Sequence, residues 1–140
     1  MKNLLILGFL CSVLTACGSS NPITAAQEES SLQGSWSGNG AGVPGSPEYS
    51  GAATFTVNGS TGTLSITGAC PVTFTVPLTM QPGTALTSSR FHADGIIPEN
   101  GYSLSDLDGS FVSSTQVTVS VPFQTPCLAE AVDVQFTLTK

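Results

Sequence analysis

The chain has 140 residues, room for a single domain. Three basic residues against nine acidic ones give a net charge of −6. That balance argues against nucleic acid, where binding rests on Lys and Arg neutralising phosphates, and against a polybasic membrane patch. A hydrophobic content of 40% argues against wholesale disorder, and nineteen serines with seventeen threonines supply most of the polarity.

In chain order, Met1-Lys2-Asn3 is a short positive start and residues 4–14 form an apolar run. Eleven residues span roughly 16 Å as a helix, too short for a hydrocarbon core of about 30 Å. A basic start before such a run reads as a secretory signal. It ends in Leu14-Thr15-Ala16-Cys17, which resembles the lipobox of bacterial lipoproteins. The resemblance implies a signal peptide over residues 1–16 and a lipidated Cys17 that anchors the chain to a membrane of the bacterial envelope. Two or more acyl chains meet the requirement for stable anchoring. Gly18 in place of Asp implies, on the same resemblance, the outer membrane of a Gram-negative cell. Residues 17–31 then read as the lipidated cysteine and a flexible polar tether, in which a helix over Ala25–Ser30 is marginal on its own. Residues 32–140 are expected to form one β domain, with Arg90 and Lys140 as its basic residues.

From Leu32 onward the period is two. Ala53–Val57, Leu64–Thr67, Val72–Leu78, Val117–Val121 and Val132–Leu138 alternate apolar with hydroxyl or other polar residues. That pattern predicts antiparallel sheet with one face on a core. Turn signals separate the runs: Asn58-Gly59, Gly68, Gln81-Pro82-Gly83, Asn100-Gly101 and Asp108-Gly109. Residues 41–50 hold two prolines and read as a long loop, whereas Ser88–Asn100 has no clear pattern. Pro77 and Pro122 are expected at strand ends, edges or bulges. The expected fold is all-β: an antiparallel up-and-down barrel or sandwich of about seven or eight short strands with one disulfide. Runs of four to seven residues are too short for the strands of a membrane barrel, which leaves Phe55, Leu64, Ile66, Phe74, Val76, Val119, Val134 and Phe136 facing inward.

With Cys11 in the signal and Cys17 lipidated, Cys70 and Cys127 are the expected disulfide in an exported chain. The bond would close a loop of roughly 58 residues and contribute about 4 kcal/mol in the chain-entropy model.

Arg90-Phe91-His92-Ala93-Asp94 places residues 90, 92 and 94 on one face, as a surface Arg–His–Asp cluster. With no Gly-x-Ser-x-Gly elbow to present a nucleophile, it points away from hydrolysis. Asp106-Leu107-Asp108-Gly109 looks like a fragment of a calcium loop, but no bidentate acid follows at the required distance. Asp106 and Asp108 are therefore read as an acidic turn opening a strand at Ser110, and no metal or cofactor is expected.

Trp36, in Gly34-Ser35-Trp36, is the single tryptophan. A Gly-x-Trp at the first strand of a small β domain resembles the opening of calycin barrels, including lipocalins. The resemblance implies that Trp36 closes one end of a barrel. The lipocalin pattern also places an arginine near the final strand, packed on that tryptophan; this chain departs from it, with only Lys140 on the final strand and Arg90 elsewhere. The expected function is a lipid-anchored envelope protein with a non-catalytic structural or interaction role, its partner another envelope protein or a glycan. The alternatives are a lipocalin-like barrel holding a small apolar ligand, for which Trp36 is the candidate contact, and an inhibitor of an envelope protease.

Overall fold

The computed structural model describes residues 21–68, 71–94 and 103–140. The signal segment, Cys17 and Cys70 lie outside these residues, so the structure bears neither on lipidation nor on the Cys70–Cys127 pairing. Cys127 itself is exposed in the turn between the last two strands.

The described chain comprises α1 (Ala25–Leu32), β1 (Gly34–Gly42), β2 (Ser50–Asn58), β3 (Thr61–Thr67), β4 (Val72–Pro77), β5 (Thr79–Gln81), β6 (Arg90–Ala93), β7 (Ser103–Leu104), β8 (Leu107–Ser113), β9 (Gln116–Gln124) and β10 (Val132–Thr139). A short 3₁₀ turn at Leu86–Ser88 precedes β6. All strand pairs are antiparallel, in the order β4-β3-β2-β1-β10-β9-β8-β6-β5, and β7 pairs with β9 off this path. Neighbours in the wall are neighbours in sequence except where β1 pairs with β10 and where β8 pairs with β6, past the intervening β7. This is an up-and-down barrel of nine wall strands, closed except at one seam between β4 and β5. Leu78 alone separates these two strands in sequence, and its N–H donates to the Ser60 carbonyl at 2.7 Å. Ten strands exceed the seven or eight expected, because β5 and β7, at three and two residues, are too short to carry a period.

Alternation sorts the two faces. β10 reads buried, exposed, buried throughout, and β3, β4 and β9 follow the same rhythm. Every apolar residue expected inside is buried. The outer face carries hydroxyls in register: Thr139, Ser37, Thr54, Ser65 and Thr73 form one row across five strands. Cross-strand pairs close within such rows, Ser65–Thr73 at 3.0 Å and Thr63–Thr75 at 3.2 Å. Val112 is the only large exposed hydrophobic among the described residues. Polar outside and apolar inside is the reverse of a lipid-facing barrel wall.

Three inward glycines have a steric cause. Gly40, Gly62 and Gly109 are buried, and a Cβ on them would overlap the rings of Phe136, Phe55 and Phe91 respectively. The Gly109 finding corrects the expected Asp108-Gly109 turn. Both residues lie within β8, where Gly109 pairs with Phe91 of β6 and leaves room for its ring. Pro77 ends β4 at the seam, as expected of a residue that cannot donate to a ladder. Pro122 sits within β9, next to the break between β7 and β8, where its carbonyl accepts from the Ser105 N–H.

The expected tether is also revised. Residues 25–32 form a helix, started by a capping box: Gln27 N–H donates to Thr24 Oγ1 and Thr24 N–H donates to Gln27 Oε1. Tertiary contacts supply what eight residues lack alone. Leu32 and Glu28 are fully buried, Ile23 N–H donates to the Gly83 carbonyl, and the Gln33 side chain bonds both N–H and C=O of Gly59.

Candidate functional site

Two places gather chemistry-bearing groups. The first is the helix-covered end of the barrel around Trp36. The indole is fully buried, and its Nε1–H donates to the Leu32 carbonyl at 2.7 Å, pairing an end carbonyl of α1. Phe111 meets the indole edge-on at 6.5 Å. The Lys140 ammonium lies 4.9 Å from the ring centroid and donates to the Ser31 carbonyl at 3.3 Å. Trp36 therefore ties together α1, β1, β8 and the end of β10.

The second is an acidic face on β6, β8, β9 and β10. His92 pairs with Asp108 across β6 and β8, and Asp94 follows two residues later on the same face. His92 Nδ1 lies 2.8 Å from Asp108 Oδ1, and Nε2 lies 2.7 Å from Asp94 Oδ1. A neutral imidazole has a single N–H, so both contacts are satisfied only by an imidazolium donating from both nitrogens. The hydrogen bond to Asp94, then that to Asp108, holds the His92 pKa above its usual 6.5, and partial burial opposes them. Donor atoms of His92, Asp94 and Asp106 lie within 4.8 Å of one another. Beside them, Asp106, Asp108, Ser120, Pro122, Asp133 and Val43 line an open groove of about 320 Å³.

The Arg90–His92–Asp94 cluster is partly as expected. His92 and Asp94 meet, whereas Arg90 stands opposite Gln81 and Ser110. Asp106 and Asp108 belong to this face; the expected acidic turn opening a strand at Ser110 is corrected, because β8 already begins at Leu107 and Asp108 lies within it. The role of Asp108 is the part sequence reasoning missed, since its contact spans 16 residues and depends on the β6–β8 register. A cation bound at His92 would displace the proton that Asp94 and Asp108 stabilise.

Asp94 and Asp108 side chains are 89% and 73% exposed, so solvent screens the pair and its worth to stability is small. Its sign is defined. The stabilisation is fully present below pH 6.5 and is lost as pH rises through the higher folded-state value. We expect the His92 Cε1–H resonance to titrate above 6.5, and Asp94→Asn or Asp108→Asn to move its midpoint down. A midpoint indifferent to both substitutions would show that the two contacts do not form in solution.

No family model matches the chain, and the search of curated proteins found no match.

Proposed function

We propose that the protein is a bacterial lipoprotein, anchored to the envelope through Cys17, whose barrel acts by contact with another envelope component and not by catalysis. The observation that carries contact over ligand storage is the cluster of packed rings inside the barrel. A barrel of this strand number either fills with side chains or holds one small molecule. Here Phe55 stacks on Phe91 at 5.8 Å, Phe91 meets Phe111 edge-on at 6.0 Å, and Phe111 meets Trp36. Inward glycines accept ring atoms where a cavity would need space. Recognition then falls to the outer wall, with its hydroxyl rows and the acidic groove. The test is cross-linking in intact envelopes, with Cys17→Ser as the unanchored control. The expected result is metabolic incorporation of palmitate that Cys17→Ser abolishes, and a discrete cross-linked product that depends on the barrel. Recovery of nothing beyond a control carrying only the lipidated N-terminal segment counts against the contact role. Palmitate labelling unchanged by Cys17→Ser counts against the anchor.

A second reading, a lipocalin-like barrel with a small apolar ligand, is favoured by one observation. Lys140 stands on Trp36, at the position where the lipocalin pattern has an arginine. Native mass spectrometry separates the readings: an adduct lost on denaturation supports the ligand, and the bare chain mass supports the filled core.

A further inference from the structure

Glu28 is the one described carboxylate that is fully buried, and neither of its side-chain oxygens completes a hydrogen bond. It lies on α1, which packs against β5, the strand that forms one lip of the seam. A buried carboxylate without a partner is costly when charged and tolerable when protonated. The other ties on the helix are the Ile23–Gly83 and Gln33–Gly59 bonds, the Trp36 indole bond to the Leu32 carbonyl, buried Leu32, and the Lys140–Ser31 contact.

We propose that α1 is a pH-sensitive latch over the β5 side of the seam, closed while the Glu28 carboxyl carries its proton and loosened when it ionises. Among the described residues, the surrounding elements offer no compensating charge at hydrogen-bond distance. β5 (Thr-Met-Gln) and the Asn58–Ser60 turn carry no titratable side chain. The charged groups nearby in the fold are Glu29 on α1 itself, Lys140, which is engaged by Ser31 and Trp36, and Arg90, which pairs across from Gln81. Burial raises the Glu28 pKa from 4.5 to about 7, against the opposing and lesser effect of the Gln81 backbone. The sign follows from linkage. Between pH 4.5 and 7 the docked helix holds a proton that the free helix has lost, so docking weakens as pH rises and levels off above 7. The full effect on the docking equilibrium is about 300-fold. Opening would uncover Leu32 and the lip of β5 and would release eight residues into the segment leading to Cys17.

Hydrogen exchange at the Gln33 amide, which donates to the Glu29 carbonyl, reads the latch directly. After correction for intrinsic rates, its protection is expected to fall by roughly 100-fold between pH 5 and pH 8, while that of Leu64 in β3 stays level. In Glu28→Gln, which keeps the shape without the charge, the fall should disappear. His92→Gln should leave it intact, which separates the latch from the other titrating cluster. Should Glu28→Gln not fold, the ¹³C titration of the Glu28 carboxyl in the wild-type chain decides instead, with a midpoint near 7 expected. Constant protection in the wild type, an equal fall in Glu28→Gln, or a carboxyl midpoint near 4.5 would overturn the proposal.

Discussion

Replacing Trp36 with alanine is expected to remove about 4 kcal/mol of stability, toward the upper part of the range for large-to-small core changes. The indole does more than fill volume. Its N–H pairs the Leu32 carbonyl at the end of α1, its edge meets Phe111, and its face carries the Lys140 ammonium. Removal opens a void and leaves a helix-end carbonyl without its donor. Since domains of this kind rarely hold more than about 5–15 kcal/mol in total, the variant should sit near its folding limit at 37 °C. Urea denaturation followed by far-ultraviolet circular dichroism measures this without the lost fluorophore. Trp36→Phe, which keeps a ring but not the N–H, should cost about 2 kcal/mol less. A cost below about 1 kcal/mol for the alanine variant would mean that the barrel end closes without the indole.

The second large effect is expected at Gly109. Adding one methyl group there is expected to destabilise by about 3 kcal/mol, although alanine is ordinarily the better residue in regular structure. The new Cβ would overlap the Phe91 ring, which cannot retreat because Phe55 is stacked on one side and Phe111 abuts it edge-on. The explanation makes a specific demand on a double mutant. Phe91→Leu vacates part of the ring volume, so Gly109→Ala in that background should cost at least 1 kcal/mol less than in the wild type. Strictly additive costs would show that the penalty at Gly109 arises in the backbone and not against the ring.

These two residues also show what could be read in advance. Trp36 declares itself as a lone, large, apolar side chain after a glycine in the first strand. Alternation exposes β2, β3, β4, β9 and β10, because Thr and Ser face water at every second position. Gly109 misleads because Asp-Gly is a turn signal in isolation. Its true cause, a ring on the neighbouring strand 18 positions earlier, exists only once β6 and β8 are in register. The same holds for Asp108 and His92. The helix α1 was partly legible. Thr24-x-x-Gln27 is a capping box, but a Glu-Glu-Ser-Ser stretch reads as solvated, and full burial of Glu28 runs against the usual fate of that residue. The two shortest strands hold too few residues to show any period.

The pairing of β1 with β10 bears on how the barrel takes mechanical load. Ser37 stands opposite Thr139, so the chain enters β1 and leaves β10 at the same end of that ladder. Tension between the N-terminal segment and the C-terminal end would load its hydrogen bonds one pair at a time, because they lie across the strands. Such a ladder peels; it does not resist in parallel. Tension between the N-terminal segment and a grip on β3 would instead run across the β1–β2 and β2–β3 ladders and leave β10 unloaded. Once β1 peels from β10, the seam offers no second strand ladder, and Leu78 is the single residue joining the sheet β1–β4 to the sheet β5–β10. Where a partner grips the wall therefore decides whether a pull on the N-terminal segment meets a rigid body or opens the barrel like a clasp.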